Sequence, residues 1–335
     1  MNRLSHPVRG LGLCSGGLDS ILSALVLRDQ GVEVAWISFE TPFFTAEKAR
    51  AAAEQTGVPL LVRDITPIYL KMLRHPKRGF GRNMNPCLDC HTLMFQLAGE
   101  EMKRSGFDFL FSGEVLGQRP MSQNRNSLRY VEKHSGFDGF VLRPLSALRL
   151  EPTVPESDGR VDRDRLLGIT GRGRKDQIAL AEAYGVTEYP APAGGCLLTD
   201  RNYSLRLRDL LERDPDPPLA RIHFLRYGRH FRLTDTARLV VGRDKADNIG
   251  LMGLYDRSRH IYLKTRGAPG PVALLPDANS DVVGADEVRE AASICAGYSR
   301  AGKEETAEVT VFAPEGRERI RVAPMPTAAS RRRML

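Results

Sequence analysis

The most constraining feature of this 335-residue chain is the hexapeptide Ser15-Gly16-Gly17-Leu18-Asp19-Ser20. It follows a short apolar run at residues 11–14 and precedes a helical pattern at residues 21–28. Glycines carry no Cβ, so the backbone can pass close to a bound anion. The serines and the first free N–H groups of a helix can then hold phosphate oxygens. The hexapeptide predicts a phosphate-binding turn, with a plain strand–helix turn as the alternative.

The apolar runs predict the fold around this turn. Strand-like runs at 11–14, 32–39, 60–65 and 109–112 are separated by helical patterns at 21–30, 45–56 and 92–105. Alternating strands and helices are typical of an α/β fold with a doubly wound parallel sheet. Ligands of such sheets bind beyond the carboxyl ends of the strands. We therefore expect Phe39 and Gly113, which fall at such ends, to border one nucleotide crevice with the turn.

A stiff polar segment, Asp-Pro-Asp-Pro-Pro at residues 214–218, predicts a domain boundary. It divides the chain into a first domain at 1–213 and a second domain at 219–325, followed by a basic tail at 326–335. The second domain shows short strand patterns at 230–233, 238–241, 260–264 and 308–312 and one helix at 285–299. These patterns indicate a smaller α+β module. The tail contains three consecutive arginines and is expected to be disordered.

The charge balance points to an acidic partner. The chain has 49 Lys and Arg against 41 Asp and Glu, and six of its eight net positive charges lie from Leu219 onward. An uneven basic charge favours RNA as the partner. No apolar run approaches the ~20 residues of a membrane span, and residues 1–10 lack the apolar core of a signal peptide. We expect a cytoplasmic protein with no membrane partner.

The cysteines give the second functional signal. Five are present, an odd number that argues against a disulfide scaffold. Cys87 and Cys90 form a Cys-x-x-Cys pair expected to open the helix that begins near Thr92, where a thiol pKa is lowered. Cys196 follows two glycines and could reach the same site. Cys14 and Cys295 lie in apolar surroundings and are predicted to be core residues.

The hexapeptide resembles the pyrophosphate loop of the ATP pyrophosphatase (PP-loop) superfamily, which has the adenine nucleotide α-hydrolase-like fold. Residues 111–123 resemble a block of the tRNA 4-thiouridine synthetases, and residues 142–145 resemble a segment shared with the tRNA 2-thiouridylases. The segments around Cys87–Cys90 and Cys196 are similar to the two cysteine segments of the 2-thiouridylases. The resemblance covers roughly residues 9 to 204.

The resemblance implies an ATP-dependent tRNA sulfurtransferase that forms AMP and pyrophosphate. ATP, with Mg²⁺, would adenylate a uridine carbonyl oxygen and so create a leaving group. Asp19 is expected to act in catalysis by orienting Mg²⁺ or the loop. The residues expected to bind ATP are Ser15, Gly16, Gly17, Asp19, Ser20, Phe39, Gly113 and Gln118.

Cys90 and Cys196 fall on the active cysteine pair of the 2-thiouridylases, so they are expected to be catalytic. Three thiolates, from Cys87, Cys90 and Cys196, could also hold a [4Fe-4S] cluster with one iron left open for sulfide. The competing route is a cysteine persulfide resolved by the second thiol. Cys87 has no task in that route, so the sequence favours the cluster. The sulfur donor would be a cysteine desulfurase or free sulfide.

The second domain resembles the RNA-binding module of the NFACT proteins at residues 229–232, 240–248 and 291–299. Its implied partner is tRNA or another structured RNA. We expect Arg229, Arg232, Arg243 and Lys245 to contact phosphates from one face. A solvated basic strand face is the alternative. From the first domain, Arg172, Arg174 and Lys175 are expected to extend the RNA surface toward the cysteines.

Two other function classes remain open on the sequence. One is a PP-loop enzyme that uses a nitrogen nucleophile, such as a lysidine synthetase or a deazaguanine nitrile synthase. The other is an RNA-binding protein without enzymatic activity. Iron with acid-labile sulfide, rather than zinc, would exclude the first. ATP hydrolysis to AMP would exclude the second.

Overall fold

The computed structural model describes residues 7–191, 195–276, 278 and 283–335. The chain divides into two compact units, Met1–Cys196 and Leu197–Leu335, which we call the first and second domains. This division lies before the segment 214–218 on which the sequence-based boundary was placed. No helix among the described residues is both long and apolar enough to cross a membrane.

The first domain is built on a five-stranded parallel sheet with the strand order β3-β2-β1-β4-β5. The predicted doubly wound parallel sheet is thus confirmed. Its elements are β1 (Arg9–Leu13), α1 (Leu18–Arg28), β2 (Glu33–Glu40), α2 (Glu47–Thr56), β3 (Leu60–Asp64), α3 (Thr66–Arg74), α4 (Cys87–Ser105), β4 (Phe109–Ser112), α5 (Arg125–His134), β5 (Val141–Leu142), α6 (Val154–Ser157) and α7 (Lys175–Ala183).

The core of the first domain explains why its strands have apolar sequences. Strands β1, β2 and β4 each have a neighbouring strand on both sides, and Leu11, Trp36 and Phe111 are each at most 1% exposed. Gly12 leaves the space that the Phe111 ring occupies, because a Cβ at Gly12 would come within 2.3 Å of that ring. Helix α1 buries Leu22 against the same core. Burial on both faces is typical of parallel sheets.

Helix α4 begins at Cys87, five residues earlier than the sequence pattern suggests. Its N-cap is Pro86, and Gly106 ends it in the left-handed conformation. The Cys-x-x-Cys pair therefore lies inside the first helical turn. Because α4 precedes the parallel strand β4, its first turn lies at the carboxyl edge of the sheet, where the loop after β1 also lies.

The second domain is built on a six-stranded antiparallel sheet with the order β11-β10-β8-β9-β7-β6. Helix α11 packs its small residues on one face of this sheet. The elements are α8 (Arg201–Arg213), α9 (Leu219–Phe224), β6 (Arg229–Arg232), β7 (Arg238–Val241), α10 (Lys245–Gly253), β8 (Ile261–Thr265), β9 (Ala273–Leu275), α11 (Ala285–Gly297), β10 (Ala307–Ala313), β11 (Gly316–Val322) and α12 (Thr327–Ser330).

Helix α8 belongs to the second domain, although the sequence placed it in the first. The Asp209 carboxylate accepts hydrogen bonds from both Arg232 and Arg238, on neighbouring strands. Arg206 donates to the carbonyl oxygen of Leu225 at 3.0 Å. These long-range contacts attach α8 to the antiparallel sheet. Proline composition alone could not reveal them.

The basic tail is packed, in contrast to the expected disorder. Residues 327–330 form α12, and Met334 makes a bridge to Phe231 on β6. The amide of Leu335 donates to the carbonyl oxygen of His230 at 3.0 Å. Arg333 donates to the carbonyl oxygen of Leu233 at 3.1 Å and pairs with Glu290 at 3.2 Å. The tail therefore covers the open edge of β6.

Candidate active site

The loop between β1 and α1 has the geometry of an anion cradle. The hydroxyls of Ser15 and Ser20 lie 3.2 Å apart, and the amide of Ser15 donates to the Ser20 hydroxyl at 3.3 Å. The N-cap of α1 is Gly17, and no side chain caps this helix. Its first N–H groups and its positive dipole end are thus available to an anion.

Two glycines allow the loop to lie close to its neighbours. Gly16 has a φ of +70°, and a Cβ there would come within 2.1 Å of the Lys48 backbone. Gly113 directly follows β4, and a Cβ there would come within 2.3 Å of the Asp19 backbone. The ends of β1 and β4 are therefore in direct contact. This close approach explains glycine at both positions.

Asp19 is held by Gln118, whose side-chain amide donates to Asp19 Oδ2 at 3.0 Å. The other oxygen, Asp19 Oδ1, is buried and has no hydrogen-bond partner in the described part of the chain. The same is true of Gln118 Oε1. Buried acceptors are normally satisfied. Carboxylate and amide oxygens are ligands that Mg²⁺ accepts, so these residues fit the expected ion.

Phe39 does not line an open crevice. It is the penultimate residue of β2 and is only 5% exposed. It lies near the carboxyl edge of the sheet, as the sequence predicts, but its ring belongs to the core. Contact with ATP by Phe39 remains a prediction, and its burial argues for a supporting role.

The cysteines Cys87, Cys90 and Cys196 gather around Tyr69 of α3. Tyr69 interacts with all three thiols and contacts Cys90 directly. Cys90 also interacts electrostatically with Cys196 and Cys87. The side chain of Asn85 donates to Cys87 Sγ at 3.2 Å. These interactions are consistent with the predicted convergence of the three thiols. The segment just before Cys196, residues 192–194, lies outside the described residues.

The pKa of Cys90 moves opposite to the expectation from its helix position. Burial raises this pKa above its usual range, and the neighbouring thiols Cys196 and Cys87 add to the shift. Contact with the Tyr69 hydroxyl opposes it but does not cancel it. The helix dipole lowers the pKa of a thiol in the first turn only where the thiolate stays hydrated, because burial disfavours the charged form.

A [4Fe-4S] cluster needs ligands that converge on one point. Among the residues that the structure describes, no three His, Cys, Asp or Glu side chains are placed to hold a metal ion. The thiols interact, and the cluster remains a prediction. The other two cysteines are core residues, as predicted. Burial raises the pKa of Cys14 to about 12 and that of Cys295 to about 11.

A buried ionic network that the sequence pattern did not indicate connects the cysteine helix to the phosphate loop. Glu114 follows Gly113 and accepts from Arg143 Nε at 3.1 Å, while its other oxygen lies 2.9 Å from His91 Nδ1. Arg143 also donates to Glu132 at 3.1 Å. Burial alone would raise the pKa of Glu114, but the Arg143 charge and His91 lower it to about 2.

The network completes a chain of contacts across the carboxyl edge. Asp19 touches Gly113, the next residue Glu114 holds His91, and His91 is the neighbour of Cys90. A rigid path thus joins the phosphate loop to the thiols. The available sequence signal was the position of Glu114 and Arg143 near the carboxyl ends of β4 and β5, where ligands of parallel sheets bind.

The residues predicted to bind RNA in the second domain do not share one face. Arg229 and Arg232 are three residues apart on β6, and alternating side chains place them on opposite faces. Arg229 lies over the Tyr298 ring at 4.8 Å, whereas Arg232 pairs with Asp209. Arg243 is exposed but pairs with Asp247, and Lys245 is exposed at the start of α10.

In the first domain, Arg172 and Lys175 are exposed beside the N-terminus of α7, and Arg174 is its N-cap residue. Arg174 Nε is buried and lacks a partner within the described ranges. The side chain of Arg174 is therefore partly drawn into the protein. Contact of these three residues with RNA remains a prediction.

The parallel sheet, the loop after β1 and its close contact with the end of β4 define a PP-loop domain, which is followed by an α+β domain. Family comparisons agree with this division. Residues 7–154 match the family "Thiamine biosynthesis protein (ThiI)", and residues 228–333 match the "NFACT protein RNA binding domain". The first region is thus similar to ThiI, and the second is similar to the RNA-binding domain of NFACT proteins.

Three curated relatives carry the name tRNA-specific 2-thiouridylase. The relative from Syntrophus aciditrophicus is 26% identical over 222 residues, which is 61% of this chain and 55% of that protein. A relative from Coxiella burnetii is 34% identical over 227 residues, which is 63% of this chain and 59% of that protein. A relative from Thermus thermophilus is 29% identical over 159 residues, which is 40% of this chain and 42% of that protein. The chain spans about half the length of these relatives.

A 4-thiouridine synthetase solved in complex with RNA and bound ATP is similar over 38% of this chain and 34% of that chain, with 24% identity. The TM-score of 0.32 is too low for any argument from this similarity.

Proposed function

We propose that the protein is an ATP-dependent RNA sulfurtransferase that acts on tRNA. The observation that carries this proposal is the contact path from Asp19 through Gly113, Glu114 and His91 to Cys90. It puts an anion cradle and a group of thiols at one edge of one sheet. An RNA-binding type of domain in the same chain supports a macromolecular substrate.

In the first half-reaction, the loop of Ser15, Gly16, Gly17 and Ser20 holds the phosphates of ATP. The uridine carbonyl oxygen attacks the α-phosphorus, the bond between the α-phosphorus and its bridging oxygen breaks, and pyrophosphate leaves. Bound Mg²⁺ would neutralise phosphate charge here. Asp19, fixed by its 3.0 Å hydrogen bond from Gln118, orients the loop and would supply an oxygen to the ion.

In the second half-reaction, we route sulfur through Cys90 and Cys196, because these two thiols interact and a persulfide route needs only two. A sulfane-sulfur donor first converts one of these thiols into a persulfide. The terminal sulfur attacks the activated carbon, and AMP leaves with the former carbonyl oxygen. The second thiol then attacks the sulfur of the first cysteine, so that a Cys–Cys disulfide forms and thiouridine is released. A dithiol reductant must restore the thiols.

Catalysis by this route requires the substrate base to lie beside Tyr69, where the thiols gather. Cys87 accepts a hydrogen bond from Asn85 at 3.2 Å and contributes to the raised pKa of Cys90. In this proposal Cys87 positions its neighbours and does not carry the sulfur atom that is transferred to the RNA. The [4Fe-4S] cluster that the sequence favoured would instead need Cys87 as an obligatory ligand.

The test combines the protein with tRNA, ATP, Mg²⁺ and a sulfur donor. Digested tRNA is then analysed for thiouridine by mass spectrometry, and the nucleotide products are separated. We expect AMP, pyrophosphate and thiouridine from the wild type, and none from Asp19→Ala or Ser15→Ala. Formation of ADP would contradict the PP-loop mechanism. AMP formation without thiouridine would favour the nitrogen-using alternative.

Cysteine variants separate the two sulfur routes. Cys90→Ala and Cys196→Ala should abolish thiouridine, and Cys295→Ala, which alters a buried thiol of the second domain, serves as the matched control. Retention of activity by Cys87→Ala would support the persulfide. Loss of activity together with loss of brown colour in anaerobic protein would support the cluster and overturn the persulfide route.

A further inference from the structure

The sheet of the second domain has one face that is only half covered. Its other face lies against α11, where Leu263 and Val309 pack on Ala292. On the half-covered face, Phe224 and Leu251 from α9 and α10 pack over β7 and β9. The part formed by β8, β10 and β11 carries exposed and half-buried side chains.

The strand register brings these side chains together. Phe312 of β10 stands between Tyr262 of β8 and Arg317 of β11, and Thr310 stands between Lys264 and Arg319. Glu308 lies opposite Arg321. We call the following six residues the open face: Tyr262, Lys264, Phe312, Arg317, Arg319 and Arg321.

The aromatic part of the open face is a stack of two rings. The rings of Tyr262 and Phe312 are stacked, with centroids 5.2 Å apart and planes 14° from parallel. Tyr255 tilts against Tyr262 at 5.7 Å, and the Arg317 guanidinium lies 5.2 Å from the centre of the Phe312 ring. Both stacked residues are half-buried, so part of each ring is accessible. A guanidinium over a ring continues the stack.

The charge of the open face is strongly positive. Lys264, Arg317, Arg319 and Arg321 are all exposed. Glu308 pairs with Arg266 at 2.9 Å and with Arg319 at 3.7 Å. One carboxylate thus stands among five cations in this part of the register. Along β11 the arginines recur at every second residue, roughly 7 Å apart, and form a row on one face.

We propose that the open face binds unpaired nucleotides of RNA, whose bases extend the stack of Tyr262, Phe312 and Arg317 while their phosphates contact the β11 arginines. A row of cations that follows the backbone, combined with aromatic rings, suits single strands. A duplex keeps its bases stacked inside, so its bases cannot reach the rings. An acidic protein would satisfy the charges but would not extend the stacked rings. This inference rests on the proposed function.

The test measures anisotropy of a labelled 12-nucleotide RNA without self-complementarity, free or annealed to its complement, with the full-length chain. Phe312→Leu removes the ring and keeps an apolar side chain, and Phe312→Tyr restores a ring. Base–aromatic stacking contributes a factor of about 5 to 150 per base. We expect Phe312→Leu to weaken single-strand binding by at least about 5-fold with little effect on duplex binding, and Phe312→Tyr to bind as the wild type does.

The arginines are tested by Arg317→Glu/Arg321→Glu. The matched control, Arg289→Glu/Arg300→Glu, makes the same charge change at exposed residues of α11 and the turn after it. The β11 variant should weaken binding and reduce the slope of log affinity against log salt by about 1.4, for two lost contacts with a single strand. The control should keep most of the slope.

Equal binding by wild type and β11 variant, or preference of the wild type for the duplex, would overturn the proposed face. Neither result depends on ATP or sulfur, so thiolation could still occur. Conversely, absence of thiouridine from the wild type would overturn the proposed function while the oligonucleotide measurements kept their meaning. Binding of an acidic peptide in place of RNA would assign the face to a protein partner.

Discussion

The Glu114–Arg143 pair of the first domain and strand β11 of the second hold charge in opposite environments. In the first domain, Glu114 and Arg143 meet inside the protein, where their side chains are 8% and 3% exposed. In the second domain, Arg317, Arg319 and Arg321 stand on the surface of β11. Buried charges fix a geometry, because moving either partner leaves the other uncompensated. Surface charges attract a polyanion from solution without requiring one geometry. This difference agrees with the proposed function, in which the first domain carries the chemistry and the second captures RNA.

The largest effect is expected at Gly16. Gly16→Ala would place a Cβ against the Lys48 backbone and require a left-handed conformation. Displacing the loop amides should lower the rate of AMP formation by about 100- to 1,000-fold, the usual cost of losing donors to a reacting anion. The control is Gly31→Ala, which has a φ of +80° with nothing within 4 Å. Similar losses in both variants would show that backbone strain, not the cradle, is responsible.

The second effect concerns the stability of the first domain. Glu114→Gln removes the charge that faces the buried Arg143, and breaking a buried ion pair costs about 3–5 kcal/mol. The free energy of unfolding should fall by about 3 kcal/mol, since Glu132 still contacts Arg143. Glu33→Gln removes a carboxylate that lies 3.8 Å from Arg9 in an exposed ion pair, and should lower the free energy of unfolding by under about 1 kcal/mol. Urea titration compares them. Equal values would mean that the network does not stabilise the domain.

The smallest effect is a pH dependence in the second domain. Burial lowers the pKa of His230 to about 3, and the Arg206 charge acts in the same direction. In the unfolded chain this histidine titrates near its ordinary pKa of about 6.5, so the unfolded state binds more protons between these values. Stability is therefore full above about pH 6.5 and falls on acidification. At about pH 5 the loss should be about 2 kcal/mol.

His230→Gln provides the comparison for this pH effect. A glutamine amide can donate to the Tyr227 carbonyl, as the histidine does at 2.9 Å, but it does not titrate. Thermal unfolding of the two proteins at about pH 5 and about pH 7.5 should show a steeper loss for the wild type. Parallel losses would mean that other groups dominate the acid sensitivity of the domain.

The sequence predicted the parts of the fold and the site that depend on local pattern. The Ser15–Ser20 turn and the alternating strands of the first domain need only neighbouring residues to be recognised. Glu114 and Arg143 were missed because their partnership joins residues 29 apart that meet only in the folded sheet. A charged residue looks the same in a sequence whether water or a counter-ion surrounds it.

The basic residues of the second domain were predicted less well for the same reason. Arg232 is neutralised by Asp209, which lies on a helix that the sequence assigned to the other domain. The pattern of β11, in which arginines occupy every second position, was available in the sequence but was not recognised as a strand. Its meaning depends on the register with Phe312 and Tyr262, which a single sequence does not provide.

The position of β11 at the edge of its sheet has a consequence for association between copies of the chain. An edge strand offers unpaired N–H and C=O groups that can template the strand of another molecule. At the opposite edge, Met334 and Leu335 already occupy positions beside β6. At β11 the charges of Arg317, Glu318, Arg319 and Arg321 make a second β11 a poor match, because like charges would meet directly across the new pair. Substituting these arginines with apolar residues would remove that protection and favour fibrous aggregation.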